Sequence, residues 1–187
     1  VTRGSLPSIG ACLALLLNVA AAPPATLDQF ESALAATPSA SAALQGWCHA
    51  RFDPDAPLRA KKLIASSDEP TGRIRDALDI GRDERLGYRR VSLRCAGREM
   101  SLAYNWYVPA RLTPEMNRQL AGSDAPFGRV VAPLRFTRER IAKPWSGPEL
   151  CPAGTILAHR ALLRLPDGKP LAMVVECYTR ENLAPVD

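Results

Sequence analysis

The sequence predicts an α+β domain, an antiparallel sheet with flanking helices, from three features. Alternating segments at residues 88–95 and 100–108 are separated only by the turn around Ala96-Gly97-Arg98, a spacing that makes a hairpin. A second pair, 153–165 and 171–178, flanks Pro166-Asp167-Gly168-Lys169, where Gly accepts a positive φ without penalty. Neither pair is joined by a helical crossover, which argues against a βαβ arrangement.

Helical stretches surround these hairpins. Residues 26–34 place Phe30 and Leu34 four apart on one face. A short stretch from Thr37-Pro38-Ser39 leads toward Leu44 and Trp47, and the run Asp53 to Pro57 breaks regular structure. Residues 73–78 form a further short candidate. Residues 112–120 read as a helix in which Thr113 caps the end and Pro114 takes the first turn, where its missing N–H is harmless. After the connector 124–128, residues 130–136 read as a short strand.

The 187 residues suffice for one domain of ordinary size. A hydrophobic fraction of 47% is too high for a wholly disordered chain. The net charge of +5 is dispersed, without a block of five like charges, which favours an anionic ligand over nucleic acid.

Arg3 precedes an apolar run from Ile9 to Val19, followed by small residues. Residues 1–21 thus have the layout of a signal peptide, leaving 22–187 as a single domain in the periplasm or outside the cell, or in the cytoplasm if the start is overextended. The run is too short for a comfortable membrane span, so no stable membrane insertion is expected after processing. Cys48, Cys95, Cys151 and Cys177 then remain, enough for two disulfides with three pairings open. There is no CxxC, and His49 and His159 are the only histidines, so no metal site is expected.

The residues that carry chemistry lie on the hairpins. Glu176 shares a strand face with Ala172 and Val174, and a carboxylate buried there requires a cation or a proton. Arg89, on the Val91/Leu93/Cys95 face, and Arg90, on the more polar Ser92/Arg94 face, are the nearest candidates. An arginine fork can grip an organic acid through two hydrogen bonds. Trp47, Trp106 and Tyr107 could wall such a pocket or serve as ordinary packing.

Four segments together resemble the chorismate–pyruvate lyase family: Arg-Arg-Val-Ser-Leu at 89–93, Leu-Ala-Tyr-Asn-Trp-Tyr-Val-Pro at 102–109, Ala-Pro-Phe-Gly at 125–128, and Gly-Lys-Pro-Leu from Gly168 followed by Glu176. The resemblance covers residues 86–180. It implies the chorismate lyase-like fold with an internal ligand cavity, and a cofactor-independent enzyme that eliminates pyruvate from chorismate to give 4-hydroxybenzoate. It also implies that Arg89 or Arg90 anchors a substrate carboxylate, that the Phe127 amide donates to the substrate, and that Glu176 both binds it and acts catalytically. Asn105 stands where a member of that family has a second Arg, which lowers the charge aimed at a dianion.

Two other readings follow. One is a noncatalytic binder of a small anionic aromatic or cyclic acid on the same fold, working as a monomer. The other is an exported protein-interaction domain.

Overall fold

In the computed structural model the described residues are 23–64, 71–141 and 150–185. The expected signal segment at 1–21 lies outside them. A six-stranded antiparallel sheet runs in the order β1-β2-β3-β6-β5-β4. Its strands are β1 (Arg59–Lys62), β2 (Gly87–Cys95), β3 (Arg98–Tyr107), β4 (Thr137–Arg140), β5 (Leu157–Arg164) and β6 (Pro170–Tyr178). The two expected hairpins, β2–β3 and β5–β6, are joined through the β3–β6 pairing into the centre of the sheet. Ala96 and Gly97 both have positive φ at the first hairpin's turn, as a two-residue loop matched to strand twist requires.

Among the described residues five α-helices accompany the sheet: α1 (Leu27–Ala35), α2 (Ala40–Arg51), α3 (Thr71–Ala77), α4 (Pro114–Gly122) and α5 (Phe127–Val131). Thr26 and Gln29 form a reciprocal capping box at the start of α1. Thr113 accepts from the Met116 amide at the start of α4, with Pro114 in the first turn. Residues of α1 and α2 pack in one apolar cluster with Val91, Leu93 and Tyr178. Residues of α4 and α5 pack in another with Leu163, Leu171 and Val174. Ile74 and Leu78 cover the opposite face of the sheet, against Trp106, Met173 and Val175.

The strand expected at 130–136 is instead α5 followed by a single 3-10 turn, Ala132–Leu134. The Arg129 and Val130 amides both donate to the Pro126 carbonyl. The buried positions 127, 130 and 131 follow a helical spacing, not a period of two. The strand expected from residue 153 begins at Leu157. β1 and β4, reading Arg-Ala-Lys-Lys and Thr-Arg-Glu-Arg, were not anticipated because charged edge strands carry little apolar alternation.

Two disulfides resolve the open pairing. Cys48–Cys95 ties α2 to the end of β2, and Cys151–Cys177 ties the segment before β5 to β6.

Candidate functional site

Directly opposed residues of an antiparallel sheet point to the same face. The register therefore puts Arg89, Asn105, Val174 and Ala161 in one cross-sheet row, and Val91, Ala103, Glu176 and His159 in the next. Arg138 and Arg140 of β4 share that face through their pairing with Leu163 and Ala161. This is the face covered by α1, α2, α4 and α5. A polar seam thus runs between the two apolar clusters.

At its centre is a small, partly open space. Val91, Leu93, Ala103, Asn105, Leu163, Val174, Arg138 and Glu176 line it, and Phe127, Gly128, Phe136 and residues 38–41 cover it. The approach of α5 to the start of α2 needs Gly128, where a Cβ would stand 2.7 Å from the Ser39 hydroxyl and 3.1 Å from that of Ser41. The volume is about 20 Å³, room for a water. A benzene-sized guest occupies a cavity of about 150 Å³. At that volume the space is not the internal ligand cavity that the resemblance implies.

Glu176 points into this space and is 8% exposed. Arg138 donates to its Oε2, and the Tyr178 hydroxyl donates to the same oxygen at 3.1 Å. Burial pushes the Glu176 carboxyl above its usual range, and the Arg138 guanidinium is the strongest influence opposing it. Tyr178 is itself pushed well above the ordinary phenol value by burial and by Glu176. His159, opposite Glu176 on β5, accepts from Arg140 and stands edge-on to the Tyr178 ring at 5.3 Å. Burial and the two neighbouring guanidiniums lower His159 to about 4, so at neutral pH its imidazole carries no charge.

Arg89 lies farther along the seam, 6% exposed. Its two terminal nitrogens reach the Ala125 carbonyl at a long 3.4 Å, and its Nε has no partner. Burial lowers its pKa, yet a guanidinium stays charged. Asn105, the cross-strand partner of Arg89, is 5% exposed and its Nδ2 is also unpartnered. Buried donors without acceptors are costly and uncommon in folded proteins. Three guanidiniums (Arg89, Arg138 and Arg140) face this seam against the single carboxylate of Glu176.

The remaining sequence candidates separate. Arg90 projects from the other face, with its guanidinium 5.4 Å from the centre of the Tyr104 ring. It does not share the space with Glu176. Phe127 begins α5 and lines the space, its ring 5.5 Å from that of Tyr107. Trp106 stacks with Tyr104 on the opposite face, and Trp47 packs on Phe30. Arg138, Tyr178 and His159 were missed as site residues. The signal for Arg138 was the alternation of Phe136, Arg138 and Arg140 before a second hairpin already known to carry Glu176.

Among known proteins, the uncharacterized protein y4mC of Sinorhizobium fredii (strain NBRC 101917 / NGR234) is 38% identical over 180 residues, covering 85% of this chain and 76% of that protein. The chain belongs to the y4mC family. No family model matches it. The expected membership of the chorismate–pyruvate lyase family does not hold, because the relative that shows the family is y4mC.

Solved structures align only partially with this y4mC relative. YydK from Bacillus subtilis subsp. subtilis str. 168, described as a candidate transcriptional regulator, superposes with a TM-score of 0.44 at 15% identity, over 68% of this chain and 60% of that one. The ligand-binding domain of a candidate GntR-family transcriptional regulator from Bordetella bronchiseptica gives 0.40 at 16%, over 66% and 81%. The SA0254 product of Staphylococcus aureus subsp. aureus N315 gives 0.40 at 15%, over 65% and 83%. Such superpositions show a general architecture and no shared chemistry.

The expected chorismate lyase activity falls with the family that implied it. The cation that answers Glu176 is Arg138 and not Arg89 or Arg90. The periplasmic or secreted location is likewise withdrawn.

Proposed function

We propose that this chain is a noncatalytic binding domain for a small organic acid with an aromatic or cyclic body. The observation that carries this reading is the pair of unpartnered buried donors, Arg89 Nε and Asn105 Nδ2, on neighbouring strands of one seam. A folded chain forfeits stability for such groups, and a ligand's acceptor oxygens would recover it. The seam's excess of guanidinium over carboxylate selects an anion. The walls contributed by Val91, Leu93, Phe127, Phe136 and Val174 suit an apolar body.

In this reading Arg89, Asn105, Phe127 and Glu176 line the bound acid, and Arg90 takes no part. The domain acts as a monomer. Among the described residues Ile64 is the one large apolar side chain that stands exposed.

Calorimetric titration with benzoate, cyclohexanecarboxylate and neutral benzyl alcohol tests the proposal. Saturable binding of either acid at one site per chain, with no binding of the alcohol, supports it. Absence of binding by both acids, or equal binding of acid and alcohol, overturns it. Light scattering of the same samples should report a single chain.

A further inference from the structure

Arg138, Pro38 and Phe136 line both the small space and an open groove of about 600 Å³. The groove runs between the α1–α2 connection, residues 35–38, and β4, with Leu34 and Arg140 among its walls. Arg138 therefore stands where solvent-accessible surface meets the buried seam, and its guanidinium turns inward onto Glu176. The two side chains are 9% and 10% exposed. Nothing larger than a water fits inside until a wall side chain moves. Separating this pair would widen the small space where it meets the groove.

A carboxylate bonded to a buried guanidinium is also the contact that an organic acid would make. We propose that Glu176 is an internal stand-in for the ligand's carboxylate, so that a small carboxylic acid entering from the groove takes Arg138 and the displaced Glu176 takes up a proton. This rests on the acid-binding reading above and adds which residue receives the acid and how binding is coupled to pH.

The balance is simple. The ligand arrives as its carboxylate, Arg138 keeps its proton throughout, and one proton passes from solvent to a Glu176 oxygen. The charge of the buried group is then the same before and after exchange. The groups around Glu176 permit this. β4 contributes Arg138 and Arg140, β5 the uncharged His159, β6 Tyr178, β3 Asn105, and α2 the Ser39 and Ser41 hydroxyls. α5 contributes only Phe127 and Gly128. No second carboxylate is present in this set to share the proton. Burial already favours the neutral carboxyl, and removing Arg138 takes away the strongest opposing influence. Tyr178 remains as a hydrogen-bond partner for either form.

The test is a titration of benzoate into the full chain in two buffers of different ionisation enthalpy, at a pH where free Glu176 is ionised. About one proton should be taken up per benzoate, and affinity should fall about tenfold per pH unit over that range. Glu176→Gln should bind benzoate about tenfold more tightly, without proton uptake, because an amide releases Arg138 more readily than a carboxylate. Arg138→Met should weaken binding about a hundredfold. Should either variant not fold, the proton count of the unmodified chain decides alone. Binding without proton uptake, or undiminished in Arg138→Met, overturns the exchange and leaves the acid-binding reading standing. No benzoate binding by either the unmodified chain or Glu176→Gln overturns both.

Discussion

Arg138 on β4 and Glu176 on β6 form an ion pair across β5, the strand that separates theirs. Their register partners on β5 are Leu163 and His159, and the position between these on the same face is Ala161. A methyl group there leaves a long side chain room to reach across. The pair also joins an edge strand to the sheet centre, where backbone pairing with β5 alone would hold β4.

Breaking this pair on one side should cost more than removing it. Arg138→Met leaves a buried carboxylate without its cation, and urea unfolding at neutral pH should show a loss of about 3 kcal/mol. Arg138→Met combined with Glu176→Leu should recover most of that loss, since a well-packed apolar pair is about as stable as a buried ionic one. A double variant no more stable than Arg138→Met alone would mean that the damage lies in β4 packing and not in the stranded charge.

His159 should make the domain acid-sensitive. Its folded value of about 4 lies below the ordinary 6.5, so between these values the unfolded chain binds the proton more tightly. Its contribution to stability is full above the ordinary value and is lost as pH falls toward the folded one. Allowing for solvent near the ring, about 1–2 kcal/mol should disappear over that interval. Glu176, raised in the folded state, acts in the opposite sense, because its contribution is lost as pH rises through its folded value. The comparison of thermal melts for the unmodified chain and His159→Phe isolates the histidine. The variant should lack the acid-side decline.

The central strands were legible because each buries at least one apolar face, and the turns at Gly97 and Gly168 are marked by residues that tolerate positive φ. The edges were not. Thr-Arg-Glu-Arg carries no apolar signal, and its assignment as β4 depends on a hydrogen-bonding partner more than 20 residues away in sequence. The site followed the same division. Glu176 stood out as a carboxylate in an apolar strand, whereas its cation sits on an edge strand marked only by the alternation of Phe136, Arg138 and Arg140. Arg89 was the natural guess because it shares the right sheet face, but the register places it one cross-sheet row away, opposite Asn105. The short motifs that suggested a lyase mark the hairpins of a sheet, and such motifs do not carry an activity by themselves.

The two disulfides should differ in worth. Cys48–Cys95 closes a separation of 47 residues and Cys151–Cys177 one of 26. Chain-entropy arguments assign about 4 kcal/mol to the first and about 3.5 kcal/mol to the second. Replacing each pair by Ala should lower the urea midpoint, and the first replacement should lower it more. It also frees α2, whose cap Ser39 and first-turn Ser41 cover the small space. Benzoate affinity should therefore respond to the first pair more than to the second.

Asn105 offers the sharpest separation of function from stability. Its Nδ2 is buried without an acceptor, and its neighbours in the seam include Val174 and Ala103. Asn105→Leu keeps the side-chain size and removes the unpaired donor. The unliganded domain should gain about 1 kcal/mol in urea unfolding. Benzoate binding should weaken about tenfold, because the lost donor is one that the acid's oxygen would satisfy. A residue kept only for the fold would give the reverse pattern, with stability falling and affinity unchanged. Stabilisation together with weaker binding would mark Asn105 as a group held unsatisfied in the empty protein for the sake of its ligand.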